Sequence, residues 1–292
     1  MKVLSFGSMN IDYVYSVPHI IQPGETLSST NRSIFIGGKG LNQSIAMARA
    51  GLDVYHAGKI GSDGTVLLDA LKDAGVHTDN VKIEDALSGH TIIQVNDEGQ
   101  NSIILFKGTN YMMTEEFIDE VLSGFEKGDT LVLQNEINLL DKIIDKAYDS
   151  GMTIVLNPSP FEEKLLGYNL EKVSIFMINE IEGNQISGIS AENPEGILDW
   201  FSSHYPESEV ILTLGAEGAW FSGKQGRFFQ PAFKVKAVDT TSAGDTFSGY
   251  FIAGKAMGYT VEDALRLAAK ASSITVSRPG AAPSIPFIKE VV

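Results

Sequence analysis

Val238-Asp239-Thr240-Thr241-Ser242-Ala243-Gly244-Asp245-Thr246-Phe247 places two carboxylates around a run of small residues and then opens a helix. The helical stripe continues at Phe247, Tyr250, Phe251 and Met257, and Gly258 is a natural stop. Small residues let successive backbone N–H groups point outward at a helix N-terminus, where the helix dipole favours negative charge. An aspartate inside such a cradle suits a base that takes a hydroxyl proton while phosphate oxygens rest on the amides. Ordinary capping by Asp239 or Ser242 accounts for one polar residue. It does not account for Ala243-Gly244-Asp245 inside the first turn.

Upstream of this junction the chain alternates short apolar runs with helical patterns, which predicts a mostly parallel sheet covered by helices. Val3–Phe6 reads as the first strand. Leu41–Ala50 and Thr65–Ala74 read as helices stopped by Gly51 and Gly75. Thr130–Leu133 reads as a strand, followed by a helix with Asn138 as N-cap and Gly151 as stop. Ile154–Leu156, Ile175–Ile178 and Val210–Leu214 are further buried strands. Thr260-Val261-Glu262-Asp263 resembles a capping box, and its long helix ends before Arg278-Pro279-Gly280. Two segments break the rhythm, Ile11–Ile36 and a hairpin pattern made by Thr91–Val95 and Ser102–Phe106. They either build a small projecting sheet or extend the main one.

Composition narrows the class. A chain of 292 residues with 43% hydrophobic content supports one large domain with a sizeable core. A formal charge of −15 opposes binding to nucleic acid or anionic membrane surfaces. Any phosphate must then be held locally, by backbone amides, a few cations and Mg²⁺. With no cysteine there is no disulfide, thiolate metal site or cysteine nucleophile. The apolar run at Met1–Gly7 is too short for a signal peptide and no stretch could span a membrane, so a cytoplasmic protein is expected. The five histidines show no metal-ligand spacing.

Ligands of open α/β sheets collect beyond the carboxyl ends of strands. Four apolar runs here end in polar residues: Gln134-Asn135-Glu136, Asn157, Asn179 with Glu180 and Glu182, and Thr213 with Gly215. A second glycine-rich loop, Gly37-Gly38-Lys39-Gly40-Leu41-Asn42, also opens a helix. Its glycines permit close backbone approach, and Lys39 and Asn42 supply hydrogen bonds to a polyhydroxylated or anionic ligand. A structural helix cap would read the same way. It is not a Walker A loop, because Gly40 follows Lys39, and no strand leads into a G-x-G-x-x-G. Asn10 and Asp12 lie on one side of an extended chain, which suits paired contacts to sugar hydroxyls or an ordinary Asx turn.

Taken together these motifs resemble the ribokinase family of carbohydrate kinases, of the phosphofructokinase-B type, from Gly7 almost to Pro286. Gly37–Gln43 matches the family's N-terminal signature, Asp239–Phe247 its C-terminal signature, and Asn179-Glu180-Ile181-Glu182 its N-x-x-E motif. Gly7–Asp12, Pro23–Thr26, Thr213–Gly218 and Arg278–Ser284 also fit. The resemblance implies a three-layer α/β/α fold spanning 1–292, with a β-lid from segments 11–36 and 89–108 that pairs two subunits. It implies Asp245 as base, with the Ala243 and Gly244 amides as anion hole. Asn10, Asp12, Gly38, Lys39, Asn42 and Glu136 would hold a sugar. Asn179, Thr213, Gly215, Gly218 and Gly244 would contact ATP, with Glu182 orienting hydrated Mg²⁺. A K⁺ site would use Asp239, Thr241, Thr275, Arg278, Gly280 and Ser284, several through carbonyls.

The expected reaction moves the γ-phosphoryl group of ATP to the primary hydroxyl of a pentose, D-ribose at its 5-hydroxyl. The alternatives are a kinase for a nucleoside, fructose or deoxy sugar, and a catalytically silent sugar- or nucleotide-binding regulator. Ser242 stands where the family usually has Gly or Ala. Leu41 replaces the Ala usual in ribokinases, and His90 and Thr91 lie near the expected sugar pocket.

Overall fold

In the first strand, β1 (Val3–Phe6), Val3 packs into one buried apolar cluster while Leu4 and Phe6 pack into another. The same alternation sends Val132, Val155, Met177 and Ile211 to the first cluster. Leu133, Leu156, Phe176 and Leu212 go to the second. A strand's side chains leave on opposite faces, so continuous apolar runs demand cover on both sides. Two cores therefore sandwich one sheet.

The computed structural model describes residues 1–292. The next strands are β2 (Asn10–Ser16), β3 (Asn31–Gly37), β4 (Val54–Gly61), β5 (His77–Glu84), β6 (Gly89–Val95) and β7 (Asn101–Phe106). They are followed by β8 (Thr130–Gln134), β9 (Thr153–Asn157), β10 (Ile175–Asn179), β11 (Glu209–Thr213), β12 (Gly218–Gly223) and β13 (Gly226–Pro231). Helices α1 (Lys39–Arg49), α2 (Thr65–Asp73), α7 (Ala243–Ala256) and α8 (Val261–Val276) line the first core. Helices α3 (Glu115–Leu122), α4 (Leu140–Asp149), α5 (Glu180–Ser187) and α6 (Pro194–His204) line the second. A short α9 (Ile288–Val291) ends the chain.

The nine-stranded sheet has the order β13-β12-β11-β10-β9-β8-β1-β4-β5. It is parallel from β5 to β11, and β12 and β13 are antiparallel additions. The chain moves from β1 outward through β4 to β5, then returns to start the other half at β8. That reversal opens a crevice beyond the carboxyl ends of β1 and β8. The irregular segments pair with one another instead of extending the main sheet. They form a separate four-stranded sheet, β3-β2-β6-β7. Ile34, Phe35, Ile103, Ile104 and Phe106 of this second sheet are exposed.

Two local expectations need correction. Asn138 does not cap α4; its amide bridges the backbone N–H and C=O of Met113, and Leu139 takes the cap position at φ 56°. Thr260 accepts from the Asp263 N–H, but the Asp263 carboxylate accepts from the Thr260 hydroxyl rather than the backbone, so half of a capping box forms.

Candidate active site

Backbone contacts shape the crevice first. Gly38 has φ 93°, and a Cβ there would meet Ser8 O, Met9 Cα and Asn10 N at 3.0 Å. A Cβ on Gly40 would lie 2.5 Å from Ser8 N, and one on Gly37 would lie 2.2 Å from the Asp12 carboxylate. The glycines are required because this loop lies directly on the turn that follows β1. That contact brings α1 to the end of β1. Ser8 Oγ donates to Glu136 Oε2, and the Lys39 N–H donates to the same oxygen at 3.0 Å. Turns following β1, β3 and β8 thus converge on one carboxylate.

Burial pushes the Glu136 carboxyl above its ordinary range, against the pull of Lys39 and Ser8. Asp12 is raised for the same reason, with the Thr91 hydroxyl donating to it as a partial offset. Lys39 shows the opposite balance. Burial pulls it down, yet Asp245, Glu136 and Glu182 together hold the ammonium above its usual value. Asn10 is buried, and its Oδ1 accepts from Asn110 Nδ2 at 2.8 Å. Asn110 in turn bridges the backbone of Met9.

Asp245 sits in the first turn of α7 and is buried. Its Oδ2 accepts from Asn42 Nδ2 at 3.1 Å and its Oδ1 from Gln43 Nε2 at 3.0 Å. Ser242 occupies the cap position at φ 60° with no capping hydrogen bond from its side chain, so capping does not explain the motif. Asp239 does not cap α7 either; its Oδ1 accepts from the Thr241 N–H and hydroxyl. A Cβ on Gly244 would meet nothing within 4 Å, so the space above the first turn is open to a ligand.

Two cavities meet over that turn, sharing Thr213, Thr240, Ala243 and Gly244. One, of about 240 Å³, holds Lys39, Asn179, Glu182 and Asp245 in its walls. The other, of about 440 Å³, runs past Gly215 and Gly218 to apolar Phe233, Val235 and Val276. A polar chamber that joins an apolar one can take a charged chain carrying a flat apolar head. Asn179 caps α5 in a full capping box, in which Glu182 Oε2 accepts from the Asn179 N–H at 3.0 Å. The carboxylate is thereby anchored on the cavity wall. A smaller cavity, about 40 Å³, lies between Asn10, Asn110 and Glu136 and the end of the second sheet.

Beside the start of α7, Asp239 ties two loops together, since its Oδ2 also accepts from the Gly280 N–H at 2.9 Å. Burial raises its pKa, but the donors from Thr241 and Gly280 outweigh this and hold the carboxyl below its ordinary range. The Thr275 hydroxyl is buried against that of Thr246 at 3.0 Å. Ser284 Oγ donates to Ala281 O, and the Arg278 guanidinium turns away to Glu290. Only the backbone of Arg278 is therefore in place for the loop. Arg49, at the far end of α1, donates to the carbonyls of Ala282 and Ile285 and pins this segment to the body.

The sequence reading assigned no role to Gln43, Gln134, Asn110 or Ser8, although Ser8, Gln43 and Gln134 fall inside motifs it quoted. Each acts through a partner at least 91 residues away, for which local spacing carries no signal.

Residues 1–288 match the family model described as pfkB family carbohydrate kinase. A ribokinase of Staphylococcus aureus is 37% identical over 302 residues, covering 99% of this chain and 98% of that protein. The crystal structure of a Cryptococcus neoformans ribokinase in complex with ADP superposes with a TM-score of 0.88 at 34% identity, covering 99% of this chain and 98% of that one. A ribokinase of Arabidopsis thaliana complexed with ribose and ATP gives 0.86 at 29% identity, covering 99% and 96%. Full-length matches of this kind, on a fold whose glycine-rich loop and helix start meet at one aspartate, leave no ambiguity of family: the chain belongs to the pfkB family of carbohydrate kinases.

Proposed function

We propose that this chain is an ATP-dependent sugar kinase that phosphorylates D-ribose at its 5-hydroxyl. The observation that carries the reading is Asp245, held by two amides of α1 in the wall of the polar cavity, one residue from Gly244 where that cavity meets the apolar one. ATP fits with its base in the apolar chamber and its phosphates over the open face of Gly244. The sugar lies between Asn10, Asp12, Gly38, Lys39, Asn42 and Glu136. Asn42 Oδ1 is buried without a partner and can accept from a sugar hydroxyl.

Asp245 takes the proton of the 5-hydroxyl as its oxygen bonds to the γ-phosphorus, and the bond to the β-phosphate oxygen breaks to release ADP. The Gly244 N–H and the Lys39 ammonium stabilise charge on the transferring group; the Ala243 N–H, which donates to Thr240 O at 3.2 Å, joins them once it turns from that carbonyl to a phosphate oxygen. The residues also fit two cations. Glu182 offers a hard carboxylate oxygen on the cavity wall, suited to hydrated Mg²⁺, which neutralises phosphate charge. Asp239 and Thr241, before α7, and Thr275, Arg278, Gly280 and Ser284, from the end of α8 onward, lie on two segments tied together by Asp239, and their oxygens suit K⁺ beside the anion hole. The second sheet acts as the lid over the sugar, from segments 11–36 and 89–108.

ADP release measured across D-ribose, 2-deoxy-D-ribose, D-fructose and nucleosides tests the assignment. A site whose buried polar groups match hydroxyls rejects analogues lacking them, so ribose should lead 2-deoxyribose by at least roughly tenfold in kcat/KM. Higher kcat/KM for a nucleoside or hexose would overturn the choice of sugar.

A further inference from the structure

Behind Asp245 lies a chain of buried amides for which the phosphoryl-transfer scheme above has no use. Gln43 Nε2 donates to Asp245 Oδ1 at 3.0 Å, and Gln43 Oε1 accepts from Gln134 Nε2 at 2.7 Å. Gln134 is fully buried at the end of β8, and Gln43 is 1% exposed on α1. The carbonyl of Gln134 rests over Gly7, where an added Cβ would lie 2.2 Å from its oxygen. The relay therefore runs from the floor of the central strands, through α1, to the first turn of α7.

We propose that Gln43 and Gln134 are positioning residues that set the plane of the Asp245 carboxylate for proton abstraction. The proposal rests on Asp245 acting as the base. The torsion that rotates a carboxylate has a broad, roughly two-fold profile, so an aspartate held at one oxygen can swing. Here Asn42 holds Oδ2 and Gln43 holds Oδ1, each using one acceptor position and leaving the others for the incoming hydroxyl. Gln43 could itself rotate about its terminal torsion and present its carbonyl to Asp245. Gln134 prevents this by donating to that carbonyl, which fixes which end of the Gln43 amide faces the carboxylate. Both groups are uncharged amides, so the relay holds the base without transferring a proton. A base misplaced by a fraction of an ångström loses rate while the bound sugar loses little affinity.

Double-mutant cycles on the enzyme test this, using Gln43→Leu, Gln134→Leu, Asp245→Asn and each Leu change combined with Asp245→Asn. Each Leu side chain is close in volume to Gln and removes the donor without opening a cavity; thermal melting identifies any variant that does not fold. Gln43→Leu should lower kcat by about tenfold or more, with KM for sugar and ATP within about threefold. Gln134→Leu should lower kcat in the same direction by a smaller factor. In the Asp245→Asn background neither change should cost anything further, because residues acting as one unit are non-additive. Equal losses in both backgrounds, or no loss in either, would overturn the relay. Near-normal kcat for Asp245→Asn alone would instead remove Asp245 as the base, an outcome the cycles read separately.

Discussion

At the scale of single residues, the crevice trades stability for chemistry. Glu136 is a carboxylate whose burial raises its pKa, so its ionised form is a cost to the folded state at neutral pH. That cost is absent below the unfolded carboxyl range and grows as pH rises through it to the raised folded value. Glu136→Gln should therefore raise Tm at pH 7, an advantage that shrinks as pH falls through the raised folded value and is gone below the ordinary carboxylate range. The same variant should lower kcat/KM, since the acceptor shared by Ser8 and Lys39 loses its charge and the Lys39 ammonium loses a counterion. Melting curves taken from acid to neutral pH check the first part. A Tm advantage that persists unchanged in acid would exclude the electrostatic cause. Asp239 has the reverse sign: its depressed pKa adds stability above the ordinary carboxylate range, lost as pH falls through the lowered value.

At the scale of elements, the glycine-rich loop and the cation loop each depend on backbone geometry. Gly37→Ala puts a methyl group against the Asp12 carboxylate and should lower kcat/KM by roughly tenfold or more through a raised KM, because Asp12 must move. Unchanged KM would show that Asp12 does not hold substrate. The two segments tied together by Asp239 should make activity depend on K⁺, and indifference to replacing K⁺ with a large organic cation would count against that site. Much of this level was legible in advance. Strands such as Ile154–Leu156 and the helix stops at Gly51, Gly75 and Gly151 follow from local sterics and alternating burial, which neighbouring residues encode. Asn138 was misread because the bonds that claim its amide come from Met113, far away in sequence. The pairing of β2 with β6 was open for the same reason. Strand partners chosen across some eighty residues leave no periodic trace.

At the scale of the whole molecule, two surfaces remain to be accounted for. The second sheet is apolar on both faces, with Ile34, Ile103, Ile104 and Phe106 exposed. A four-stranded sheet of this kind needs cover on both faces; one face over the sugar and the other on the same sheet of a second copy would supply it. Light scattering at micromolar concentration should report a dimer, and a monomer would contradict it. The crevice, in turn, is assembled from the first, middle and last parts of the chain. α1 brings Asn42 and Gln43, α7 brings Asp245, the turn after β8 brings Glu136, and α5 brings Glu182. If that assembly exists to abstract a hydroxyl proton, Asp245→Asn is the decisive variant. Its kcat should fall by at least ~10² while sugar affinity stays within several-fold, as for loss of a general base that acts in the transition state. A kcat near that of the unaltered enzyme would contradict the mechanism and reduce Asp245 to a residue of helix structure.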